Sequence, residues 1–501
     1  MFQIESRAQI QMLTRTQPRT LDELAVQVAI VRPGPIVGGA VNPYVRRRER
    51  LRRDPSFRPR ADHPLLDELL ADTLGVVLYQ DQVLEVAMKM GRFTAGQADQ
   101  FRRAMSRRRS AEAMERFRQS FVAGAAEHGV GEADAQAMFD KLRGFSEFGF
   151  PKSHAYAFAI LAYQSAWLRH YYPAEFYAAL LNNQPMGFYP SHVLVGDARR
   201  HRLQVLAPSI NASDVRTVPR DQQLLLGLSC VRGLGEAAAR AIVAERSAGG
   251  PFRSLRDLLG RTGLARPAAE NLIAVGALGE LGLARRDLIW QLGLLLPSAP
   301  RAGQLGLPLP IEQDMAHLPD MTTWEKMIAD YGLLELSPGY HPLGLLRGGL
   351  PRDALSAVQL RRLRDGQRAR TVGLVVCRQR PGTAKGHVFL LLEDETGLTN
   401  VVIRPDLYEA ARSVVRGEPY LCVEGIARQE SGSFNLVAER VGPMADLPGL
   451  VLPRPPLQHP YPGNPYDAGE AAGAAAASPA TAALEEVEDL LLATPGAHNF
   501  H

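Results

Sequence analysis

A lysine, a hydroxyl and an imidazole stand side by side at Lys152, Ser153 and His154, directly before an apolar run from Tyr156 to Leu168 with helical spacing. The first turn of a helix carries unpaired N–H groups and the positive end of the macrodipole. A cation and two hydrogen-bonding groups placed there make an anion site suited to phosphate. The same three residues also fit an ordinary capped helix start. Residues 43–60 hold eight arginines against two acids, and residues 101–118 hold Arg102, Arg103, Arg107, Arg108, Arg109, Arg116 and Arg118 against Glu112 and Glu115. Both clusters suit a polyanion, and both also fit a solvated face in a chain with only five lysines.

Two further constellations point to phosphate. In Val231-Arg-Gly-Leu-Gly-Glu236, the glycines Gly233 and Gly235 flank Leu234 ahead of a helical run. Such a turn brings backbone close to a phosphate at positive φ, which glycine alone adopts without strain. A degenerate echo lies at Leu272 to Leu278. The loop from Arg378 to Lys385, with Arg380 between them, offers three cations for tracking a strand.

The elements that must position these groups fall into five stretches. Residues 1–190 show apolar residues three and four apart, broken by Pro and Gly, which predicts a mainly helical domain with helices at Leu66 to Leu74, Val77 to Met90, Gly96 to Met105 and Ala111 to His128. Residues 191–298 carry the glycine turn, and residues 299–369 read as a connector without assigned chemistry. Residues 370–446 form a β pattern with five strands, at Thr371 to Arg378, His387 to Glu393, Asn400 to Ile403, Tyr420 to Gln429 and Phe434 to Val441, and a helix from Asp406 to Val415. Strand count and helix position resemble an OB-fold, with Phe389, Tyr420 and Phe434 as stacking or core aromatics. Residues 447–501 are rich in Pro and Ala and are expected to be disordered, apart from a short helix near Leu484 to Leu492. The predicted fold class is multidomain α plus β.

Composition narrows the class further. An apolar fraction of 46% and a charged fraction of 22% are those of a globular protein, and a net charge of +4 says little about partners. The run Ala155 to Leu168 is too short to cross a bilayer. Cys230, Cys377 and Cys422 are far apart and odd in number, which suits neither a disulfide framework nor a zinc site. A cytoplasmic location is expected.

Met1-Phe-Gln-Ile-Glu-Ser-Arg-Ala-Gln9, Val31-Arg-Pro-Gly-Pro-Ile36, Leu78-Tyr-Gln-Asp-Gln-Val83, Phe101-Arg-Arg-Ala-Met105 and Phe148 to Gln164 occur in the order seen in the fingers half of bacterial C-family DNA polymerases. The chain resembles the DNA polymerase III alpha family, of the error-prone, damage-tolerant type. The resemblance implies nucleotide contacts from Lys152, Ser153 and His154 with Arg102 and Arg103, and nucleic-acid contacts from Arg107, Arg108 and Arg109. It gives Gln80 and Gln82 either an orienting or a packing role. Gly233 to Gly235 become a helix-hairpin-helix contact to duplex DNA, and Arg378, Arg380 and Lys385 a contact to single strands.

The family's reaction is nucleotidyl transfer from a deoxynucleoside triphosphate to a primer end, with Mg²⁺ held by palm aspartates. No Asp-x-Asp pair occurs here. The chain is therefore expected to be the carboxy-terminal part of a longer polymerase, whether by split gene, truncation or a mis-assigned start, and to be inactive alone. Expected partners are primer-template DNA, single-stranded DNA, dNTP, the palm portion, a sliding clamp and an inactive Y-family polymerase-like protein. The alternative is a non-catalytic DNA-binding protein that keeps the helix-hairpin-helix and OB-fold.

Overall fold

A computed structural model describes residues 4–32, 35, 39–106, 111–144, 150–186, 189–296, 318–430, 433–447, 450 and 498–500. It divides into two compact units, Met1–Leu168 with Glu430–Ser433, and Arg169–Gln429 with Phe434–His501.

The first unit is helical: α1 (Arg7–Thr16), α2 (Leu21–Ile30), α3 (Val41–Arg53), α4 (Gln80–Lys89), α5 (Ala95–Ser106), α6 (Ala111–Glu127), α7 (Glu132–Gly144) and the start of α8 (Lys152–Tyr171). Ser6 and Thr20 cap α1 and α2 by accepting the backbone N–H groups of Gln9 and Glu23. Packing does the rest. Phe93, Phe101, Phe117, Phe121 and Phe139 form a ring cluster with centroids 5.5–6.1 Å apart, the edge-to-face and tilted geometry that aromatic quadrupoles favour. Buried Gln27 ties α2 to α1 by accepting from Thr16 Oγ1 at 2.6 Å and donating to Gln9 Oε1 at 2.6 Å.

The helix expected at Leu66 to Leu74 is instead two 3-10 turns, Pro64–Leu66 and Ala71–Thr73. Leu74 adopts φ 54, and a Cβ on Gly75 would lie 2.5 Å from the Arg60 carbonyl oxygen, so the chain reverses there against its own backbone.

The second unit begins with the end of α8, then α9 (Pro173–Asn182) and α10 (Ser191–Arg200). A small sheet follows, β1 (Gln204–Leu206), β2 (Val218–Arg220) and β3 (Gln223–Leu225), in the order β1-β3-β2. Four helices come next: α11 (Glu236–Gly249), α12 (Leu255–Thr262), α13 (Arg266–Ala274) and α14 (Arg285–Leu295). Their inward residues, among them Ile242, Leu258, Leu272 and Leu288, share one core with α9, α10 and Leu234 of the preceding turn. The connector contributes α15 (Thr323–Leu334), closed at its start by a Thr322–Glu325 capping box, and α16 (Pro342–Leu346).

All five strands of the β pattern are present: β4 (Arg368–Gln379), β5 (Val388–Asp394), β6 (Gly397–Ile403), β7 (Tyr420–Glu430) and β8 (Ser433–Pro443). Their order β5-β6-β8-β7-β4, with β4 also paired to β5, closes a barrel, and β6 runs parallel to β8. Closure depends on β4. Its first half pairs with β7 through Leu374, and from Leu374 on it pairs with β5, with a register shift between Val375 and Cys377; such a bulge bends a strand enough to serve two neighbours. The helix expected at Asp406 to Val415 is two short ones, Pro405–Ala410 and Arg412–Gly417. Of the segment expected to be disordered, Leu447, Leu450 and residues 498–500 are described, and His498–Phe500 pair with β4. The expected helix near Leu484 to Leu492 lies outside the described residues.

Candidate nucleic-acid interface

The mouth of α8 is built by α4 and the reversal before it. The Gln80 N–H donates to the Phe150 carbonyl at 3.0 Å, which draws the segment before α8 against the start of α4. Asp81, one residue on, accepts the Lys152 backbone N–H at 2.6 Å, and Asp72 holds Lys152 Nζ at 2.7 Å. Two carboxylates thus occupy the lysine and one orphan N–H of the helix start, satisfying the charge preference of that terminus. Ser153 does not cap α8. It lies inside the first turn, exposed, while the Pro151 carbonyl accepts the Ala155 N–H. The His154 ring sits edge-on to Phe150 and Phe158, with centroids 4.8 and 4.5 Å away. Tyr156 donates to Asp22 at 2.6 Å, and burial together with that bond pushes its phenol up to about 12.

The Lys152–Asp72 pair is half-exposed, with 41% of the lysine side chain and 65% of the aspartate side chain open. Exposed pairs of this kind contribute about 0–1 kcal/mol, so a multiply charged anion can replace Asp72 on the lysine at little cost. Gln82 is buried: its Oε1 accepts the N–H groups of Leu78 and Tyr79, and its Nε2 donates to Thr73 Oγ1. Its role is packing and capping. Arg102 and Arg103 meet at Asp99, whose carboxyl the Arg102 hydrogen bond holds below its ordinary range. Lys152 instead finds Asp72, Asp81 and the ring of Tyr156. Arg107, Arg108 and Arg109 lie outside the described residues.

The glycine turn has the geometry its sequence implies. Gly233 and Gly235 adopt φ +78 and +75, Leu234 is buried beneath them, and Gly235 opens α11. A Cβ on Gly235 would have no atom within 4 Å, so this stretch of backbone faces open space. A Cβ on Gly233 would fall 2.8 Å from Asn271 Nδ2, which donates to the Arg232 carbonyl and braces the turn. The echo at Leu272 to Leu278 behaves differently. Gly276 also has positive φ, +78, but the space beside it is filled by the Arg285 guanidinium, 2.6 Å from where a Cβ would stand. Arg285 donates to the Ala274 carbonyl at 2.5 Å and lies 3.8 Å from buried Asp330.

On the barrel, Arg378 departs from its expected role. It is 9% exposed, and its guanidinium donates to the carbonyls of Val415 and Glu418, closing the last turn of the short helix Arg412–Gly417. This corrects its assignment as a strand-tracking cation. Arg380 lies over the Tyr408 ring at 4.6 Å and pairs loosely with Glu409, while Lys385 is exposed at φ 50. Tyr420 is 2% exposed and belongs to the core, whereas Phe389 and Phe434 are half-buried.

Two features escape a sequence reading. Asp72 and Asp81 hold the helix mouth; Asp81 lies within the Tyr-Gln-Asp-Gln stretch, but nothing local marks Asp72. The connector, without assigned chemistry, carries a buried polar joint. Ser337 donates to Asp330 at 2.8 Å, Arg199 to the carbonyls of Ser337 and Pro338, and Arg200 to Glu393 at 2.8 Å. Burial raises the Asp330 carboxyl to about 6 and lowers the His341 imidazole to about 4. Among the described residues no three His, Cys, Asp or Glu side chains converge as a metal-ligating group, and Asp72 and Asp81 are engaged with Lys152. The described residues do not fit a divalent-cation site. No helix among them is long and apolar enough to cross a membrane.

Comparison with known proteins agrees with this architecture. Residues 1–129 match the bacterial DNA polymerase III alpha subunit finger domain, and residues 202–288 match a helix-hairpin-helix motif. Proteins named error-prone DNA polymerase are 41% identical over 462 residues in Anaeromyxobacter dehalogenans strain 2CP-C, 43% over 448 in Corynebacterium efficiens and 43% over 458 in Burkholderia pseudomallei strain K96243. These alignments cover 90%, 88% and 89% of this chain and 40%, 40% and 42% of those proteins, so the chain spans about two-fifths of their length. Among solved structures, asparaginyl-tRNA synthetase from Pyrococcus horikoshii with asparaginyl-adenylate aligns at 21% identity and TM-score 0.17, over 23% of this chain and 27% of that one, too weak a likeness to carry an argument. Finger helices, an open glycine hairpin and a five-strand barrel follow one another along a chain that these relatives match almost throughout: the protein belongs to the bacterial DNA polymerase III alpha family, of which it carries the finger and helix-hairpin-helix regions followed by an OB-type barrel.

Proposed function

We propose that this chain is the nucleotide- and DNA-gripping portion of an error-prone DNA polymerase that acts in translesion synthesis during repair. In this reading Lys152, Ser153 and the free N–H groups of the α8 start receive the triphosphate of an incoming dNTP, which displaces Asp72 from the lysine. The Gly235 backbone meets a duplex phosphate, and the barrel, through Arg380 and Lys385, follows the single strand. Nucleotidyl transfer itself requires metal-held carboxylates from the rest of the polymerase; the residues here bind and orient. The observation that carries the reading is the match to error-prone polymerases along some nine-tenths of the chain, with the Lys152 cluster and the open hairpin both inside it.

The test is a titration of dNTP into the full chain assembled with the remainder of a polymerase on primer-template DNA. Lys152→Ala should weaken nucleotide binding about tenfold to a hundredfold, the worth of one charge-assisted hydrogen bond, while DNA affinity holds. Unchanged nucleotide affinity in that variant removes the assignment.

A further inference from the structure

The ends of α1 and α3 enclose a cleft of about 750 Å³ in the first unit, lined by Arg15, Arg19, Arg48, Arg52 and Arg53 against Glu23 and Glu49. The two acids are already engaged. Glu23 receives Arg48 at 2.5 and 2.6 Å and the Arg19 backbone N–H at 2.6 Å, and Glu49 lies 3.5 Å from Arg15. Arg48, 8% exposed and also bonded to the Thr16 carbonyl at 3.1 Å, forms a neutralised floor. Above it stand Arg19, Arg52 and Arg53, all exposed and none with an acidic partner among the described residues; Arg52 donates only to the Arg15 carbonyl, at 2.9 Å. Three uncompensated guanidiniums in one open cleft repel one another until an anion arrives.

The lining also says which anion fits. It has no aromatic ring, and Leu51 and Pro55 are its apolar side chains, so a base would find no ring to stack on there. Arginine forks match phosphate oxygens in pairs and read no sequence. We infer that this cleft is a sequence-independent binding site for the phosphodiester backbone of a DNA strand, separate from the glycine hairpin and from the α8 mouth. The inference rests on the DNA-binding reading above and adds a contact that reading does not contain.

The experiment uses the full chain and a short fluorescein-labelled duplex, with anisotropy measured across a salt series. Replacing Arg19 and Arg53 together by alanine should lower affinity at low salt by about tenfold and make the log–log salt slope shallower by about 2, since each phosphate contact contributes about 0.9. The paired Arg19→Lys and Arg53→Lys variant should keep the slope, and the melting temperature should stay unchanged in both because neither side chain holds another element. A wild-type slope in the alanine variant, with wild-type DNA binding intact, overturns the cleft and leaves the DNA-binding reading standing. Absence of wild-type binding overturns both. If the alanine variant instead loses inorganic tripolyphosphate while keeping the duplex, the cleft serves a free polyphosphate and the inference fails.

Discussion

Gly235 and Gly276 both adopt positive φ, +75 and +78, and each lies in a turn beside a helix end. Their surroundings are opposite. Beside Gly235 no atom lies within 4 Å of where a Cβ would stand, and beside Gly276 the Arg285 guanidinium occupies that space. Positive φ requires glycine at both places, yet only one leaves backbone free for a ligand. A glycine motif therefore specifies a turn, and the neighbouring side chain decides whether the turn is a site.

The largest effect should come from removing the residue that separates the two. Arg285→Ala leaves the Ala274 carbonyl unpaired and takes the nearest cation from Asp330, so the fold should lose about 2–4 kcal/mol in a denaturant titration. Affinity for duplex DNA, measured on the folded fraction, should hold. A loss of DNA affinity as large as that from altering Gly235 would break the distinction.

Alanine at each glycine is next in size. Both changes put a side chain at positive φ, at about 1 kcal/mol. Gly276→Ala adds a collision with Arg285 and should cost more, with the excess vanishing in an Arg285→Ala background, a coupling that a double-mutant cycle reads directly. Gly235→Ala should show no such coupling but, on the proposed hairpin contact, should weaken duplex binding by about tenfold.

The smallest effect concerns acid. Burial raises the folded Asp330 carboxyl to about 6 from 3.8, so the folded state holds this proton more tightly than the unfolded chain does. The contribution of this group to stability therefore rises as pH falls from about 6 to about 4. His341, lowered by burial to about 4 from 6.5, acts in the opposite sense through the same window. Asp330→Asn removes only the first contribution. Relative to wild type it should lose stability between about pH 6 and about pH 4, measured by urea melts; parallel pH profiles would show that Asp330 is not the proton acceptor.

The same contrast explains what the sequence disclosed. Five barrel strands and the helices α4 to α6 were legible because apolar spacing reports which face is buried. The hairpin was legible because its glycines answer a local backbone demand. Arg378 was not: an arginine near a strand end carries no mark of whether it faces solvent or, as here, the carbonyls of Val415 and Glu418. The partners of Lys152 were hidden for another reason. Asp81 and Asp72 lie 71 and 80 residues away in sequence, a separation at which pairing is set by packing and no pattern in one chain records it. The buried joint of the connector was hidden in the same way, since the Ser337 carbonyl accepts from Arg199, 138 residues away in sequence.

The contact between Arg200 and Glu393 bears on how freely the barrel could be exchanged among relatives. Glu393 is 3% exposed and sits on β5, yet its cation comes from α10, on the far side of the glycine hairpin in sequence. Gly196 makes room for it: a Cβ there would lie 2.6 Å from Glu393 Oε1. A transplanted barrel with a different residue at 393 would leave Arg200 to Asp197 alone, and a host with any side chain at 196 would meet a collision. Positions 196, 200 and 393 should therefore change together among relatives whose barrels differ.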